Sequence, residues 1–223
     1  MLVFRYANQA TIIMESKKKV EQKLLSYQKR IFEETELWQK NLGTVLDVGC
    51  GRGDDARLFA TWGNQVTGVD IATNPQWHIA KSANLNFLKS NGENLSFKDH
   101  SFDLVFSKDV LHHTSNPKKM LEEARRVCKK KGLIVFVEAN RYNPITYFHM
   151  AKKLKHNHFT QKQFHKIVGD IFPEAMIGSF EAHYYPLIPV RAAKLLAILE
   201  IILPKFGFIK PLMSYNFFSI IKT

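Results

Sequence analysis

The chain is poor in cysteine and lacks a recognisable export signal. Two cysteines, Cys50 and Cys128, occur among 223 residues, and two do not make a disulfide framework. Reduced thiols in a cytoplasmic protein are therefore expected. Residues 1–13 contain Arg5 but neither a long apolar core nor a small-residue cleavage site, so we expect no signal peptide.

Long uninterrupted hydrophobic runs are also missing. The most apolar segment, 187–203, has prolines near both ends and is broken by charged residues, which argues against a transmembrane helix. Two alternatives remain: a helix buried over a substrate pocket, or a helix in the plane of a membrane interface. In the second case lipid headgroups would face the basic side chains Arg191, Lys194, Lys205 and Lys210.

Acidic residues are few compared with basic ones. The chain has 32 Lys and Arg against 20 Asp and Glu, a net charge of +12. Such an excess favours an anionic partner: a nucleic acid, a membrane surface or a phosphorylated substrate. The hydrophobic fraction of 45% is that of a globular protein. The length of the chain and the continuous alternation of predicted strands and helices favour one domain.

The most informative segment is 45–54, with the sequence VLDVGCGRGD. An apolar run predicts a buried strand, which leads directly into glycines and then into a helical pattern from Ala56. This arrangement lets a ligand approach bare backbone at a helix N-terminus. A dinucleotide fingerprint would have its third glycine at position 54, where this chain has Asp54. That acid disfavours a pyrophosphate and suits a ligand carrying a positive charge, such as an ammonium and a sulfonium.

A second predicted strand, 65–69, ends at Asp70. Asp70 follows Gly49 at roughly the 20-residue spacing at which an acid meets a ribose hydroxyl in such folds. The two features together indicate a nucleoside-containing ligand.

With these residues the chain resembles the class I S-adenosylmethionine (SAM) dependent methyltransferases of the small-molecule type, a group that includes the ubiquinone and menaquinone methylases. The resemblance covers 45–138. Segment 91–97 is similar to the family's adenine-side loop, 101–113 to its fourth strand and active-site turn, and 120–138 to its next helix and fifth strand. Asn91 replaces the usual Asp, but its carbonyl oxygen can still accept a hydrogen bond from an adenine amino group.

The resemblance implies an α/β fold. The expected sheet is Rossmann-like, seven-stranded and mostly parallel, with an antiparallel C-terminal strand and helices on both faces. Its single domain would comprise an N-terminal helical cover (1–42), a SAM-binding core (43–140), a helical lid and substrate region (141–213) and a terminal strand (214–223). The implied cofactor contacts are Asp47, Gly49, Cys50, Gly51, Gly53, Asp70, Ile71, Asn91, Gly92, Glu93, Ser107 and Lys108.

Helical spacing of apolar residues predicts a helix over 15–40. It is either a packing helix or, as the family often has it, a cover on the cofactor that uses Tyr27 or Trp38. A second helix is predicted from Asn116-Pro117 to Cys128, with Lys129–Lys131 as its solvated end.

Methyl transfer from a sulfonium depends mainly on holding the acceptor and the methyl group in line. A base is needed only for an acceptor that is hard to deprotonate, and His113 and His112 are the candidates because histidine titrates near neutrality. Five other histidines cluster over 149–183, and apart from the loose pair His156-x-His158 they lack the spacing of a zinc motif. We interpret them as lid and substrate-pocket residues and expect no metal.

The leading hypothesis is a SAM-dependent methyltransferase that acts on a small or lipid-linked acceptor at oxygen or carbon. It would be located in the cytoplasm, either free or bound peripherally at the membrane. The alternatives are a nucleic-acid methyltransferase, suggested by the charge, and a SAM-binding protein without turnover. Against the first, the chain has no appended RNA-binding module and no Asn-Pro-Pro-Tyr-type motif.

Overall fold

A seven-stranded sheet with helices on both faces forms the framework of the protein. The computed structural model describes residues 21–79, 82–143, 158–182 and 205–223, together with Arg191, Leu195, Ile198 and Ile202. The strands are β1 Thr44–Val48, β2 Gln65–Asp70, β3 Leu85–Lys89, β4 Phe102–Lys108, β5 Cys128–Ala139, β6 Met176–Phe180 and β7 Tyr215–Ile221. The helices are α1, described over 21–34, α2 Asp54–Thr61, α3 Pro117–Val127 and α4 Gln161–Ile171.

The strand order is β3-β2-β1-β4-β5-β7-β6. β1 pairs in parallel with both β2 and β4, and β4 pairs in parallel with β5. β7 is antiparallel to β5 and β6, so it is the reversed strand of the sheet. The predicted fold class is confirmed, including the terminal strand. Because the connection from β1 runs to β2 on one side while β4 lies on the other, a crevice opens at the carboxyl end of β1.

Side chains alternate between the two faces of the sheet, as strand geometry requires. In β4, Val105 packs with α3 and α4 on one face, whereas Leu104 and Phe106 pack with α1 and α2 on the other. All three are fully buried. The sheet is therefore covered on both faces, and polar groups can gather mainly at its ends.

Both α3 and α4 begin with capping side chains, and the start of α3 confirms the sequence prediction. Asn116 caps α3, its side chain accepting from the Lys119 N–H at 3.1 Å, with Pro117 at the first helical position. Thr160 and Gln163 form a capping box at the start of α4.

The predicted end of the first helix is wrong. The described helix stops at residue 34, and the backbone adopts left-handed conformations at Glu36 and Gln39. The Leu37 N–H bonds back to the Phe32 carbonyl at 2.6 Å, and Leu37 is completely buried. Turning the chain to bury Leu37 stabilises the fold more than a continued helix would.

Lys129–Lys131 are not a helix end, as the composition had suggested. They lie near the start of β5, which pairs with β4 through Cys128 and Phe102. The Lys129 ammonium bonds to Asp103 at 2.8 Å. Long-range strand pairing therefore overrides the local charge pattern here.

Most of the segment 187–203 lies outside the described residues, as do His149, His156 and His183. The four described residues of the region are helical and exposed. No helix in the described part of the chain has the length and hydropathy needed to cross a bilayer.

Phe32 anchors α1 on the sheet through ring contacts with Phe59, Trp62 and Phe106, at centroid distances of 4.9, 5.4 and 5.4 Å. We expect Phe32→Ala to lower the free energy of unfolding by about 3–5 kcal/mol, since it leaves a cavity among these rings. Leu25→Ala, on the exposed side of the same helix, should change it by about 0.5 kcal/mol or less. Urea denaturation of both variants checks this, and equal effects would show that α1 is not docked as described.

Candidate cofactor and acceptor site

The glycine loop after β1 is held in a left-handed backbone conformation. Gly49, Gly51 and Gly53 have φ values of 76°, 51° and 81°, a region that other residues enter only at a cost. A Cβ at Gly49 would lie 2.2 Å from Val110, and one at Gly53 would lie 2.4 Å from Phe87. A Cβ at Gly51 would meet nothing within 4 Å, so that position faces open space.

The loop leads into α2, whose first turn carries Asp54 and Asp55. Beside it is a cavity of about 210 Å³. Its lining residues come from α1, the end of β1, the loop, α2 and the end of β4: Leu24, Gln28, Asp47, Gly49, Cys50, Arg52, Asp54, Asp55 and Lys108. Three of these side chains are carboxylates, so the cavity favours a cationic group.

Asp47 lies at the inner end of this cavity. It is 3% exposed, and its Oδ2 has no hydrogen-bond partner among the described residues. Burial raises its pKa well above the usual range, the charge of Asp55 adds to the rise, and Lys108 opposes it. A buried carboxyl oxygen without a hydrogen-bond partner is costly, and an ammonium placed against it would supply the missing bond and charge.

Lys108 does not point freely into the cavity. Its ammonium pairs with Asp55 at 2.6 Å, and Gln28 on α1 donates to the other oxygen of Asp55 at 2.7 Å. Burial opposes the charge on Lys108, but Asp55 outweighs it, so the pKa of the ammonium is raised. These contacts tie α1 to the cavity wall and place the predicted contact Lys108 there as a paired cation.

Cys50 and Ser107 are also predicted contacts, and their side chains are largely enclosed by the protein. Burial, followed by the charges of Asp47 and Asp70, raises the pKa of the Cys50 thiol, which keeps it neutral. The Ser107 hydroxyl donates to the Val48 carbonyl at 2.9 Å and is 1% exposed. Ser107 therefore joins β4 to β1, and Cys50 offers mainly its backbone to a ligand.

Asp70 lies at the end of β2 next to the glycine loop. Its carboxylate accepts from the Gly51 N–H at 2.9 Å and the Ala72 N–H at 3.2 Å. A carboxylate offers about four acceptor positions, so capacity remains for a ribose hydroxyl. The neighbouring Ile71 is 68% exposed, an apolar side chain available to the flat face of a base.

The predicted adenine-side residues are partly used within the protein. Asn91 Oδ1 accepts from the Glu93 N–H at 2.9 Å. Glu93 Oε1 accepts from the Ser115 and Asn116 N–H groups at 2.7 and 3.1 Å, so Glu93 fixes the chain just before α3. Gly92 packs on Val48, where a Cβ would come within 3.1 Å.

A second cluster of polar side chains surrounds Glu138 near the end of β5, apart from the residues that line the cavity. Glu138 Oε1 accepts from the Val110 and Leu111 N–H groups at 2.9 and 2.6 Å. Its Oε2 lies 2.6 Å from His112 Nδ1. Because a carboxylate only accepts, Nδ1 carries the proton and Nε2 is the atom at which His112 would exchange one. Burial opposes protonation of His112, but Glu138 outweighs it and raises the pKa.

The rings of two further histidines contact that of His112 in tilted arrangements. The ring of His113 lies 4.0 Å away and that of His158 lies 4.1 Å away, measured between centroids. The sequence singled out His112 and His113, whereas Glu138 and His158 were not among the predicted site residues. No local spacing signals their proximity, because they come from different elements.

Asp109, at the turn after β4, connects the cavity lining with the cluster around Glu138. It has a left-handed backbone, with φ at 58°, a strained conformation often found at functional sites. Its carboxylate accepts from the Ala139 N–H at 3.1 Å and the Tyr215 hydroxyl at 3.2 Å. The Tyr215 and Tyr27 hydroxyls are 2.5 Å apart. Burial, with a further contribution from the Glu138 charge, raises the pKa of Asp109 to about 6.

Comparison with known proteins agrees with this geometry. Residues 46–136 match the family model described as a methyltransferase domain. A ubiquinone biosynthesis O-methyltransferase of Nitrosospira multiformis is 34% identical over 109 residues, which cover 46% of this chain and 45% of that protein. The first curated relatives are covered over only 40% to 57% of their length.

Solved structures show the same fold. A SAM-dependent methyltransferase from Thermotoga maritima has a TM-score of 0.65 at 18% identity, over 95% of this chain and 96% of that one. Phosphoethanolamine N-methyltransferase 2 of Haemonchus contortus, in complex with SAM, has a TM-score of 0.57 at 19% identity, over 82% and 49%. Residues 46–136 therefore match a methyltransferase domain in sequence, and the strand order of the sheet agrees with the fold of these solved methyltransferase structures.

Proposed function

We propose that this chain transfers a methyl group from SAM to a small or lipid-linked acceptor, at oxygen or carbon, in the cytoplasm or at the membrane surface. The buried carboxyl group of Asp47, at the end of a cavity rich in carboxylates, carries this proposal. SAM combines an ammonium, a sulfonium and ribose hydroxyls, and the cavity with its rim offers a counterpart to each.

The residues present fit such a cofactor. Asp47 is the counterpart of its ammonium, and Asp70 of its ribose. In this proposal Ile71 and the loop 91–93 contact its base. When bound, SAM supplies an activated methyl group on a sulfonium, and the protein has to hold the acceptor in line with it and exclude water. Gln28 and Leu24 of α1 close one side of the cavity, which serves that exclusion.

His112 and His113 are the candidate catalytic residues on the acceptor side. Glu138 holds His112 in one tautomer and favours its protonated form, so His112 can take the proton of an acceptor hydroxyl as the new bond forms. An acceptor attacking through carbon or oxygen of an ionised compound would not need this step. The similarity to ubiquinone biosynthesis O-methyltransferases supports an oxygen acceptor.

A peripheral contact with an anionic membrane is part of the proposal. Six large hydrophobic side chains between positions 195 and 212 are exposed: Leu195, Ile198, Ile202, Phe206, Phe208 and Leu212. The first three lie at helical spacing on one side of the chain. This disfavours the alternative of a helix with those side chains buried over the pocket. Lys205 and Lys210 are exposed in the same region, as expected for a surface that meets lipid headgroups.

Turnover is the direct test of the function. We expect methyl-labelled SAM to label a component of cell-extract lipid or small-molecule fractions when the protein is added. Asp70→Ala should weaken SAM binding about ten- to a hundredfold, because charge-assisted bonds worth roughly 1.5–3 kcal/mol are lost. Calorimetry measures this, with Asp170→Ala on the surface of α4 as the matched control. Labelled nucleic acid would favour the nucleic-acid methyltransferase, and SAM binding without any labelling would favour the non-catalytic alternative.

We expect the Asp47 carboxyl group to lower the stability of the SAM-free protein and to strengthen SAM binding. The unfolded chain releases this proton near pH 3.9, whereas the folded chain retains it to higher pH. The contribution of Asp47 to the free energy of unfolding therefore falls as pH rises from the unfolded-state pKa to the raised folded-state pKa, and it stays lowered at higher pH. Asp47→Asn should raise the melting temperature of the SAM-free protein at pH 8 and weaken SAM binding about tenfold or more.

Asp103→Asn is the matched control. Asp103 lies near the amino end of β4, whereas Asp47 lies near the carboxyl end of the neighbouring parallel strand β1. Burial opposes its charge, but the bonds from Lys129 and Thr44 lower its pKa. That variant should lose stability at pH 8 and keep its SAM affinity. If Asp47→Asn lowers the melting temperature and binds SAM normally, the carboxyl group of Asp47 is structural.

Co-sedimentation with liposomes tests the membrane contact. We expect binding to anionic liposomes at low salt and release at high salt, since each basic residue near the surface contributes on the order of 1 kcal/mol. Phe208→Glu combined with Ile198→Glu should abolish binding, whereas Met176→Glu, at an exposed position in β6, should not. If the wild-type protein stays in the supernatant with anionic liposomes at low salt, the membrane contact is contradicted and a soluble small acceptor is favoured.

A further inference from the structure

The cluster on the acceptor side brings together three side chains from separate elements. His112 comes from the turn after β4, Glu138 from near the end of β5, and His158 from just before α4. One potential ligand atom from each lies within 4.8 Å of the others. We propose that His112, Glu138 and His158 form a binding site for a divalent first-row metal ion of the Zn²⁺ type.

The donor set carries this inference. Two imidazoles and one carboxylate are a combination that binds Zn²⁺ and related ions while leaving a position open for a water or substrate oxygen. Acidic clusters on surfaces are common without an ion, but this group is enclosed. The side chains of His112 and Glu138 are each 1% exposed, and His158 is 3% exposed.

The surroundings hold the ligands in place as metal sites require. The Val110 and Leu111 N–H groups both bond to Glu138 Oε1, which fixes the carboxylate and presents Oε2 to the cluster. Outer bonds of this kind orient metal ligands and are nearly as important as the ligands themselves. Here they come from the backbone of the same turn that carries His112.

The spacing requires only small side-chain movements. Tetrahedral coordination at about 2.0–2.1 Å places ligand atoms roughly 3.4 Å apart. His112 Nδ1 and Glu138 Oε2 are 2.6 Å apart, and the three ligand atoms lie within 4.8 Å of one another, so a modest adjustment of the side chains reaches the required spacing. An ion that displaces the shared proton would open the first pair, draw in the third ligand and release a proton to solvent.

The site deepens the proposed function and rests on it for its role. An acceptor hydroxyl bound at the open position would lose its proton to solvent, and its oxygen would remain on the ion until the bond to the methyl group forms as the methyl–sulfur bond breaks. With an ion bound, activation of the acceptor passes from the imidazole of His112 to the ion. This departs from our expectation of no metal, which rested on histidine spacing along the chain.

Metal binding can be tested without the acceptor. Chelator-treated protein is titrated with Zn²⁺ by calorimetry, and Co²⁺ is used as a visible-absorption probe of tetrahedral coordination. We expect one ion per chain. His158→Ala and Glu138→Gln should each weaken Zn²⁺ binding at least about a hundredfold, the upper end of what loss of an outer partner costs. His165→Ala, an exposed histidine on α4, should bind as the wild type does.

The outcomes are separable from those for the methyl transfer. SAM binding and the melting temperature are measured on the same chelator-treated samples, so that a folded variant with normal SAM affinity and lost Zn²⁺ affinity supports the metal site. Failure of the wild type to bind Zn²⁺, or equal affinity in wild type, His158→Ala and Glu138→Gln, overturns the metal site and leaves a hydrogen-bonded cluster. Absence of SAM binding in the wild type would instead contradict the proposed function.

Discussion

The burial of Asp47 at the carboxyl end of β1 is the constraint on which the cofactor cavity depends. A carboxylate taken out of water needs a counter-charge or a proton, since desolvation is expensive. Lys108, whose charge acts on Asp47, is already paired with Asp55 at 2.6 Å. The buried Asp47 carboxyl group therefore has no ion-pair partner among the described residues, and it lies beside a loop whose backbone a ligand can approach. Binding of a cationic ligand relieves this cost, which links affinity to selectivity for charge.

The cavity at the glycine loop and the Glu138 cluster, which are the proposed cofactor and acceptor sides of the site, are joined through two consecutive residues. Lys108 belongs to the cofactor cavity, whereas Asp109 bonds to Ala139 and Tyr215 on the acceptor side. Tyr27 of α1 contacts both: its hydroxyl meets that of Tyr215, and the Lys108 ammonium lies 5.2 Å from its ring centroid. The position of α1 is thus coupled through Tyr27 to both sides.

Much of the fold could be predicted from the sequence, because it is encoded in local patterns. The apolar run before Gly49 predicts a buried strand, and Asn116-Pro117 predicts a helix start that the structure confirms. Predictions failed where distant contacts override local preference. The first helix ends at residue 34 rather than 40 because Leu37 turns back into the core. Lys129–Lys131 join β5 because Cys128 pairs with Phe102 on a neighbouring strand.

The sequence by itself determined the glycine loop, the acids near the ends of the first two strands and the alternation of strands and helices in the core, since each is written in consecutive residues. Only the tertiary structure decided which polar groups meet. Glu138 and His158 are separated along the chain from His112, yet the parallel pairing of β4 with β5 and the packing of the segment before α4 bring all three together. Chain spacing carries no record of such contacts, because strand pairing and the packing of buried side chains set the distances between residues far apart in sequence.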